Sequence, residues 1–362
     1  RGPFFLAADL PEEQHVRDRV LLSCMGSPHP LQIDGIGGGH PLTSKAGIVG
    51  PSEVVDVDLD FTFVQLQPDA VTVQTTQNCG NMLAAVVPFA IETGLIEPTE
   101  DTTDVVVRTT NTDLISHISI HTPQVDGQRF VQYSGQTEIA GVPGTASPVN
   151  IRFVNTAGSI AEGLLPTGSI TDIVTAGGTE YTVTLIDNGQ PLVIIRAEDL
   201  GVTGYESVAA LSENSELKTC VEQLRLAAAK VMGLGDVTGA SYPKMTLVAP
   251  PVSGGAISTR SFIPHRVHES IGVLAAVTVA TALVMEGSVA AAVGSAGSGR
   301  QQSVAIEHPT GIFEALVDLD DDGAVVASGN TRTARLISRG ELYVPREIWD
   351  PGHESTGLNH SV

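Results

Sequence analysis

The sequence predicts an α+β protein made of two pseudo-symmetric domains, each with a strand-rich, barrel-like sheet wrapped round a central apolar helix. Short runs rich in β-branched residues, such as VVDVDLDFTFVQL and PLVIIRA, recur along the chain and are typical of strands. Two segments, which follow Cys79 and Glu269, are apolar on every side, and a helix of that kind has to be buried. The third observation is that the predicted elements occur twice in the same order.

Both halves of the chain contain the same series of elements. In the first half, FFLAADL precedes a helix that ends in MG, and KAGIVGP and CGNMLAAV follow. In the second half, VIIRAEDL precedes a helix that ends in MG, and KMTLVAP and SIGVLAAV follow. Asp9 corresponds to Asp199, Lys45 to Lys244 and Cys79 to Ser270. The offsets are 190, 199 and 191 residues. Repetition in one order at a nearly constant offset indicates an internal duplication.

The length of 362 residues exceeds what one hydrophobic core usually supports. We expect a first domain of residues 1–178 together with about 340–362, and a second domain of residues 179–339. Ligands commonly bind where domains meet, so we expect a cleft toward which Cys79 and Ser270 point. The opening RGPFFLAADLP resembles the middle of a strand, so further residues are expected before Arg1.

Charge and composition exclude several classes of function. The net charge is −22 and no basic cluster occurs, so nucleic acids and anionic membrane surfaces are not expected partners. The longest apolar run, residues 271–284, is shorter than the roughly 20 residues that a membrane-spanning helix needs, so no membrane partner is expected either. Three separated cysteines without a CxxC motif argue against a disulfide framework or zinc cage and favour a reducing, cytoplasmic location.

The segment QNCGNM places Cys79 at the predicted start of an apolar helix. A helix N-terminus presents unpaired N–H groups, binds anions, and lowers the pKa of a thiol placed there. Gly80 would let a ligand approach the backbone, and Asn78 and Asn81 would offer side-chain amides. The alternative interpretation is a buried structural cysteine, since free cysteines are among the most buried residues.

Lys45 is a candidate base, because the chain has only four lysines and this one enters an apolar strand from a glycine-rich loop. A lysine partly removed from water loses its proton more easily; the alternative is a solvated lysine at a strand start. The preceding loop, MGSPHPLQIDGIGGGHPLTSK, lacks the spacing of a nucleotide-binding motif. We expect it to contact a substrate instead, through Gln32, Asp34, Thr43 and Ser44.

The second half gathers positive charge just ahead of its apolar helix. STRSFIPHRVHES contains Arg260, His265, Arg266 and His268, and ends at Ser270. A later turn adds more candidates for substrate binding, namely His308, Thr310 and Gly311. Arginine forms bidentate hydrogen bonds with carboxylates, so this region suits a ligand with several carboxylates. For any one arginine, the alternative is an ordinary ion pair on the surface. The histidines lack metal-binding spacing, and no metal is expected.

Several of these motifs together resemble the PrpF family over nearly the whole chain: SPHPLQIDGIGGGHPLTSK, QNCGNM, GLLPTG, EDLGVTGYE, HPTG and RTARLISRGELYVP. The resemblance implies a diaminopimelate-epimerase-like fold and a cofactor-independent isomerase. It also implies that Lys45 and Cys79 are catalytic. Related epimerases use two cysteines, whereas this chain has Ser270 at the second position, so a two-thiol epimerase is not expected. A GGTS segment that the family carries before the position of Arg1 is absent from this sequence.

The predicted reaction is an allylic 1,3-proton shift, which moves a double bond or changes its geometry in an aconitate-type tricarboxylate. The first alternative is keto–enol tautomerisation of 4-oxalomesaconate with the same residues. The second is a polycarboxylate-binding protein without catalysis, and the third is a PhzF-like isomerase, which fits the TSK and NCGN motifs less well. We expect a di- or tricarboxylate partner, no cofactor, and a homodimer.

Overall fold

A computed structural model describes residues 2–76, 79–154, 156–263 and 265–350. The chain forms two compact units. The first unit contains the described residues up to Gly135 and those from Thr333 onward, and the second unit is Gln136–Arg332. The sequence-based division at residue 178 and near residue 340 differs from these bounds. The difference arises because residues 148–153 and 172–176 are strands of the second unit's sheet.

The first unit is built from eight strands and three α-helices among its described residues. The strands are β1 (Phe4–Leu6), β2 (Lys45–Pro51), β3 (Leu59–Leu66), β4 (Val73–Gln74), β5 (Thr102–Thr109), β6 (Leu114–His121), β7 (Gln124–Val125) and β8 (Gln128–Arg129). The helices are α1 (Gln14–Met25), α2 (Gly80–Leu83) and α3 (Val86–Glu92). Strand β1 is parallel to β2, β2 is antiparallel to β3, β3 is parallel to β5, and β5 is antiparallel to β6.

The second unit contains twelve strands and three α-helices among its described residues. The strands are β9 (Thr137–Glu138), β10 (Thr145–Ala146), β11 (Pro148–Phe153), β12 (Asp172–Ala176), β13 (Thr179–Asp187), β14 (Pro191–Arg196), β15 (Lys244–Ala249), β16 (Ile257–Ile263), β17 (Arg266–Val267), β18 (Gln301–His308), β19 (Gly311–Leu319) and β20 (Val325–Thr333). The helices are α4 (Val208–Glu213), α5 (Ser215–Val231) and α6 (Val273–Val284). The sheet order is β11-β20-β19-β18-β16-β15-β14-β13-β12.

The two units share one topology, as a duplication requires. In the second unit β14 is parallel to β15, β15 is antiparallel to β16, β16 is parallel to β18, and β18 is antiparallel to β19. These four pairings repeat those of β1, β2, β3, β5 and β6 in the first unit. Helix α5 lies between β14 and β15 in the chain, as α1 lies between β1 and β2, and each second strand opens with a lysine, Lys45 or Lys244.

The two apolar helical segments differ in their regularity. Helix α6 runs without interruption, and residues 275–283 are all buried, most of them in a core cluster with β18 and β19. The segment after Cys79 is instead divided into α2 and α3. Pro88 explains the division, because its ring would clash with the carbonyl group four residues earlier, at Ala84, and it has no N–H to donate. The prediction of one long helix after Cys79 was therefore wrong.

The part of the chain that the structure describes contains no helix of sufficient length and apolarity to span a bilayer.

Strands β20 and β11 of the second unit pack closely at Gly329. A Cβ atom at this position of β20 would overlap the carbonyl oxygen of Ile151 on β11. We expect Gly329→Ala to lower the free energy of unfolding by about 1–3 kcal/mol, the usual cost of overpacking. Urea denaturation measures the change, with Gly239→Ala as the control, because no atom lies within 4 Å of a Cβ atom at Gly239. Equal stabilities of the two variants would contradict this packing.

Candidate active site

Lys45 is placed by the start of β2, where it lies opposite Gln65 on β3. The side chain is half-buried, and its Nζ atom lies 5.8 Å from the centroid of the Phe63 ring. Gln65 is itself anchored, since its amide nitrogen donates to the backbone oxygens of Pro41 and Ser44 at 2.9 and 3.2 Å. The backbone that leads into Lys45 is thus tied to the neighbouring strand, which fixes where the amine emerges.

Cys79 occupies the N-cap position of α2 and is half-buried. Its carbonyl oxygen accepts hydrogen bonds from the N–H groups of Met82 and Leu83, both at 3.0 Å. Its Sγ atom lies 3.7 Å from Nζ of Lys45. Because α2 is only four residues long, the predicted anion site at the start of a long helix is not supported. The contact between amine and thiol is what the structure offers in its place.

Two loop residues that were expected to bind substrate have structural roles. Gln32 is buried, and its Oε1 atom accepts hydrogen bonds from the N–H group of Gly39 at 3.0 Å and the hydroxyl of Ser44 at 2.8 Å. Its amide nitrogen donates to Ser27 Oγ at 3.1 Å. The Ser44 hydroxyl also lies 2.9 Å from the carbonyl oxygen of His40. With these polar groups satisfied inside the loop, Gln32 and Ser44 hold its shape, and their contact with substrate stays a prediction.

The other described first-unit residues that were predicted to bind substrate make few hydrogen bonds to the rest of the protein or are exposed. Asp34 and Asn81 are exposed, and Gly80 is the first residue of α2. The Thr43 hydroxyl donates to the carbonyl oxygen of His40 at 3.1 Å. Asn78 lies outside the described residues.

In the second unit, residues just before α6 meet the turn between β18 and β19. Ser270 Oγ lies 3.3 Å from His308 Nε2, and the Ser270 N–H donates to His268 Nδ1 at 2.9 Å. The Thr310 hydroxyl donates to the carbonyl oxygen of Glu269 at 3.0 Å. Gly311 follows with φ +153°, and a Cβ atom there would lie 3.3 Å from that of Ala140. The sequence-based grouping of Ser270, His308 and Thr310 is therefore one cluster in space.

Burial sets the charge state of the basic groups in this cluster. It lowers the pKa of His308, and the nearby charges of His268 and Arg260 act in the same direction. Burial also lowers the pKa of His268, helped by the charge of Lys244 and opposed by Glu269. Lys244 itself has its pKa lowered by burial. Both imidazoles are consequently held toward the neutral form, in which a ring nitrogen can accept a hydrogen bond.

An open pocket of about 630 Å³ adjoins the cluster and is lined by Tyr205, Glu206, Ser207, Val208, Ala209, Arg260, Glu269, Pro309 and Thr310. Arg260 is buried and donates to the carbonyl oxygens of Glu206 and Thr259, both at 2.8 Å, so part of its donor capacity is already used. Arg266 is exposed on β17 and does not line the pocket. Tyr205 and Glu206 end the EDLGVTGYE motif, but the sequence did not predict that they line a pocket.

No group of three His, Cys, Asp or Glu side chains that could hold a metal ion occurs within residues 2–76, 79–154, 156–263 and 265–350.

Comparison with known proteins identifies the family. A family model described as PrpF protein matches residues 1–345. The chain belongs to the PrpF family. The resemblance inferred from the motifs is thereby confirmed.

Individual relatives of this PrpF-family chain are named isomerases. The (4E)-oxalomesaconate Delta-isomerase of Novosphingobium sp. (strain KA1) is 47% identical over 344 residues, which cover 95% of this chain and 94% of that protein. The 4-oxalomesaconate tautomerase of Pseudomonas putida (strain KT2440) is 47% identical over 349 residues, with coverages of 96% and 94%. The PrpF-family chain is an isomerase, as predicted.

A solved structure supports the fold. The crystal structure of a methylitaconate-delta-isomerase superposes with a TM-score of 0.86 at 30% identity, covering 97% of this chain and 94% of that one. Together with the repeated topology, this confirms the predicted fold class.

The structural role of Gln32 is testable. Gln32→Ala leaves the Gly39 N–H without its acceptor and removes one of the two acceptors near the Ser44 hydroxyl, so we expect a loss of about 1–3 kcal/mol in the free energy of unfolding. Asp34→Ala, two residues away and exposed, should change it by less than about 0.5 kcal/mol. Urea denaturation measures both, and unchanged stability of the Gln32 variant would show that the loop does not depend on this amide.

Proposed function

We propose that this PrpF-family isomerase acts on 4-oxalomesaconate or a close analogue, by moving a proton between two atoms of one conjugated unit. The observation that carries the proposal is the 3.7 Å separation of Lys45 Nζ and Cys79 Sγ, which supports a role for the two groups as a proton-transfer pair. The substrate assignment rests on the two relatives at 47% identity that are named for oxalomesaconate. The structurally similar methylitaconate isomerase is 30% identical.

This substrate assignment places 4-oxalomesaconate before the aconitate-type tricarboxylates that the sequence alone favoured. The sequence alone favoured an aconitate-type tricarboxylate and placed 4-oxalomesaconate second. That preference rested on the number of carboxylates that a cationic region could bind, and both molecules carry three. Charge therefore does not separate them, whereas similarity to named relatives does.

The chemistry requires a base, an acid and a place for negative charge. In 4-oxalomesaconate the carbon between the ketone and the double bond is acidic, because the electron pair left by its proton spreads into both groups. One of Lys45 and Cys79 breaks this C–H bond and takes the proton, and the electron pair moves onto the ketone oxygen as a dienolate. The other residue supplies a proton at the far carbon to move the double bond, or at oxygen to give the enol. One deprotonation thus serves both reaction types named among the relatives.

The stereochemistry follows from the contact between the two groups. Side chains that touch each other address one face of a flat dienolate, whereas the paired acids and bases of an epimerase must face opposite sides. The proton is accordingly removed and returned on the same face. This arrangement suits isomerisation and does not suit inversion of a stereocentre.

Within the second unit, several cationic and hydrogen-bonding groups are proposed as carboxylate-binding groups. Ser270, His308 and Thr310 form one cluster, and Arg260 retains N–H groups beyond the two that it donates to backbone oxygens. Gly311, in a conformation that favours glycine, keeps the turn beside His308 free of a side chain. Arg266 and Asn81, both exposed, are weaker candidates.

A substrate panel tests the proposed reaction. Proton NMR in deuterium oxide would follow 4-oxalomesaconate, cis- and trans-aconitate and methylitaconate, since each exchanges a different hydrogen. We expect the highest kcat/KM for 4-oxalomesaconate, with deuterium entering the carbon between ketone and double bond. Preferred turnover of an aconitate would restore the sequence-based order. Tight binding of the panel without any deuterium uptake would remove the proposed proton transfer altogether.

The pair of proton-transfer residues is tested by substitution. Lys45→Ala and Cys79→Ser should each lower kcat by about 100- to 10,000-fold, the usual contribution of a positioned acid or base. Lys230→Ala and Cys220→Ser are matched controls and should retain activity. The residue that acts as base is the one whose loss abolishes deuterium exchange at the first carbon, while loss of the acid leaves exchange but not product. Near-normal rates in both test variants would end the assignment.

A further inference from the structure

One face of β20 carries polar side chains into the interior of the second unit. Ser328 is buried and accepts a hydrogen bond from the amide nitrogen of Asn188 at 2.8 Å, and that nitrogen also donates to Thr281 on α6. Ser328, Asn330 and Arg332 share this face, because side chains alternate along a strand. The face of β20 that looks toward α6 is therefore lined by polar groups rather than by the aliphatic residues of an ordinary core.

Asn330 is fully buried, yet neither its amide nitrogen nor its amide oxygen has a hydrogen-bond partner among the described residues. Ser328, two residues earlier, is hydrogen-bonded by contrast. A buried amide without partners costs about 1–3 kcal/mol, so such a group is rarely retained without a role.

Arg332 is the charged residue on the same face of β20. Its Nε atom is buried without a partner among the described residues, and its Nη1 atom makes a long hydrogen bond of 3.5 Å to the carbonyl oxygen of Thr331. Its guanidinium lies over the Phe313 ring, 4.5 Å from the ring centroid. Burial lowers the pKa of Arg332 to about 10. The arginines that have acidic partners in the described parts of the chain are Arg108, Arg129, Arg152, Arg196, Arg225, Arg300 and Arg346.

A largely buried cation without an acidic partner in the described segments is unexpected in a chain with a net charge of −22, where acidic side chains are abundant. Stacking on an aromatic ring covers one face of the guanidinium and leaves the N–H groups at its edge free to bind in plane. Removing such a charge from water is costly unless an anion compensates it. The described residues supply no such anion, so a ligand is the source that we consider.

The position of Arg332 relates it to residues already assigned to the site. The antiparallel register pairs Ala315 with Asn330, so the next residue pair along this face brings Arg332 beside Phe313. Phe313 is two residues from Gly311 and shares a core cluster with Ile271, which directly follows Ser270. Arg332 therefore lies at the end of the sheet where the His308–Gly311 turn meets the start of α6.

We propose that Arg332 binds a carboxylate group of the substrate, with the unpaired amide of Asn330 on the same face as a supporting hydrogen-bonding group. This inference rests on the proposed function, because the anion is one of the carboxylates of a polycarboxylate substrate. It gives a role in the second unit to the first residue of the RTARLISRGELYVP motif, which does not line the pocket.

Binding of tricarballylate, a saturated tricarboxylate that cannot isomerise, tests the inference by isothermal titration calorimetry. Arg332→Met keeps a side chain against Phe313 but removes the charge, and should weaken binding by about 10- to 100-fold, as expected for a charge-assisted hydrogen-bonded pair. Arg332→Lys retains a point charge and should lose less than Arg332→Met. Arg335→Ala, an exposed arginine three residues away, should bind within about twofold of the wild type.

The outcomes separate this inference from the proposed reaction. Wild-type affinity in Arg332→Met, an equal loss in Arg335→Ala, or no binding of tricarballylate to the wild type would each overturn the role of Arg332. Turnover of the substrate panel by the wild type is measured separately and decides the reaction by itself. With a turned-over substrate, Arg332→Lys should raise KM while kcat changes little, whereas a purely structural arginine would show only lowered thermal stability.

Discussion

The contact between the amine of Lys45 and the thiol of Cys79 is the interaction on which the proposed chemistry depends. Two features position it. The antiparallel pairing of β2 with β3 sets Lys45 opposite Gln65, and the anchored Gln65 amide fixes the loop that leads into the strand. The thiol is set by the single turn of α2, whose N-cap is Cys79. Neither group is buried deeply enough to be a core residue, and neither has an acidic partner among the described residues.

In a chain as acidic as this one, a buried cation without an acidic partner is unusual and points to a role in binding. Most partly buried arginines are neutralised by aspartate or glutamate, as in the pairs of Arg108 with Asp60 and Arg152 with Asp318. Against that background, Lys244 and Arg332 have no acidic partner in the described parts of the chain, and burial lowers the pKa of each. A protein that repels anions overall must concentrate positive charge locally to bind a polycarboxylate, and leaving selected cations unpaired achieves this without changing the net charge.

Sequence patterns predicted the repeated strands and the matched lysines, and the resemblance of the TSK and NCGN motifs to the family implied the pairing of Lys45 with Cys79. Pro88 marks the break between α2 and α3, whereas the apolar run around it favours one continuous helix. Gln32 and Ser44 could not be assigned from sequence, since a polar residue in a glycine-rich loop looks the same whether it faces a ligand or another loop residue. The proposed role of Arg332 has no signal in the sequence for the converse reason: an unpaired side chain is recognised only from the positions of the residues around it.

The duplicated halves have diverged at the positions to which the proposed proton transfer is assigned. Cys79 is the N-cap of α2, and the N-cap of the corresponding helix α6 is Gly272. Ser270 lies two residues before Gly272. Glycine has no titratable group, and the Ser270 hydroxyl contacts His308, whose pKa is lowered by burial. Lys244 keeps the position of Lys45, but the position that matches Cys79 offers it no thiol. The second half has therefore retained cations and hydrogen-bond donors suited to binding carboxylates, while the thiol–amine pair that can pass a proton belongs to the first half, which preserves both members.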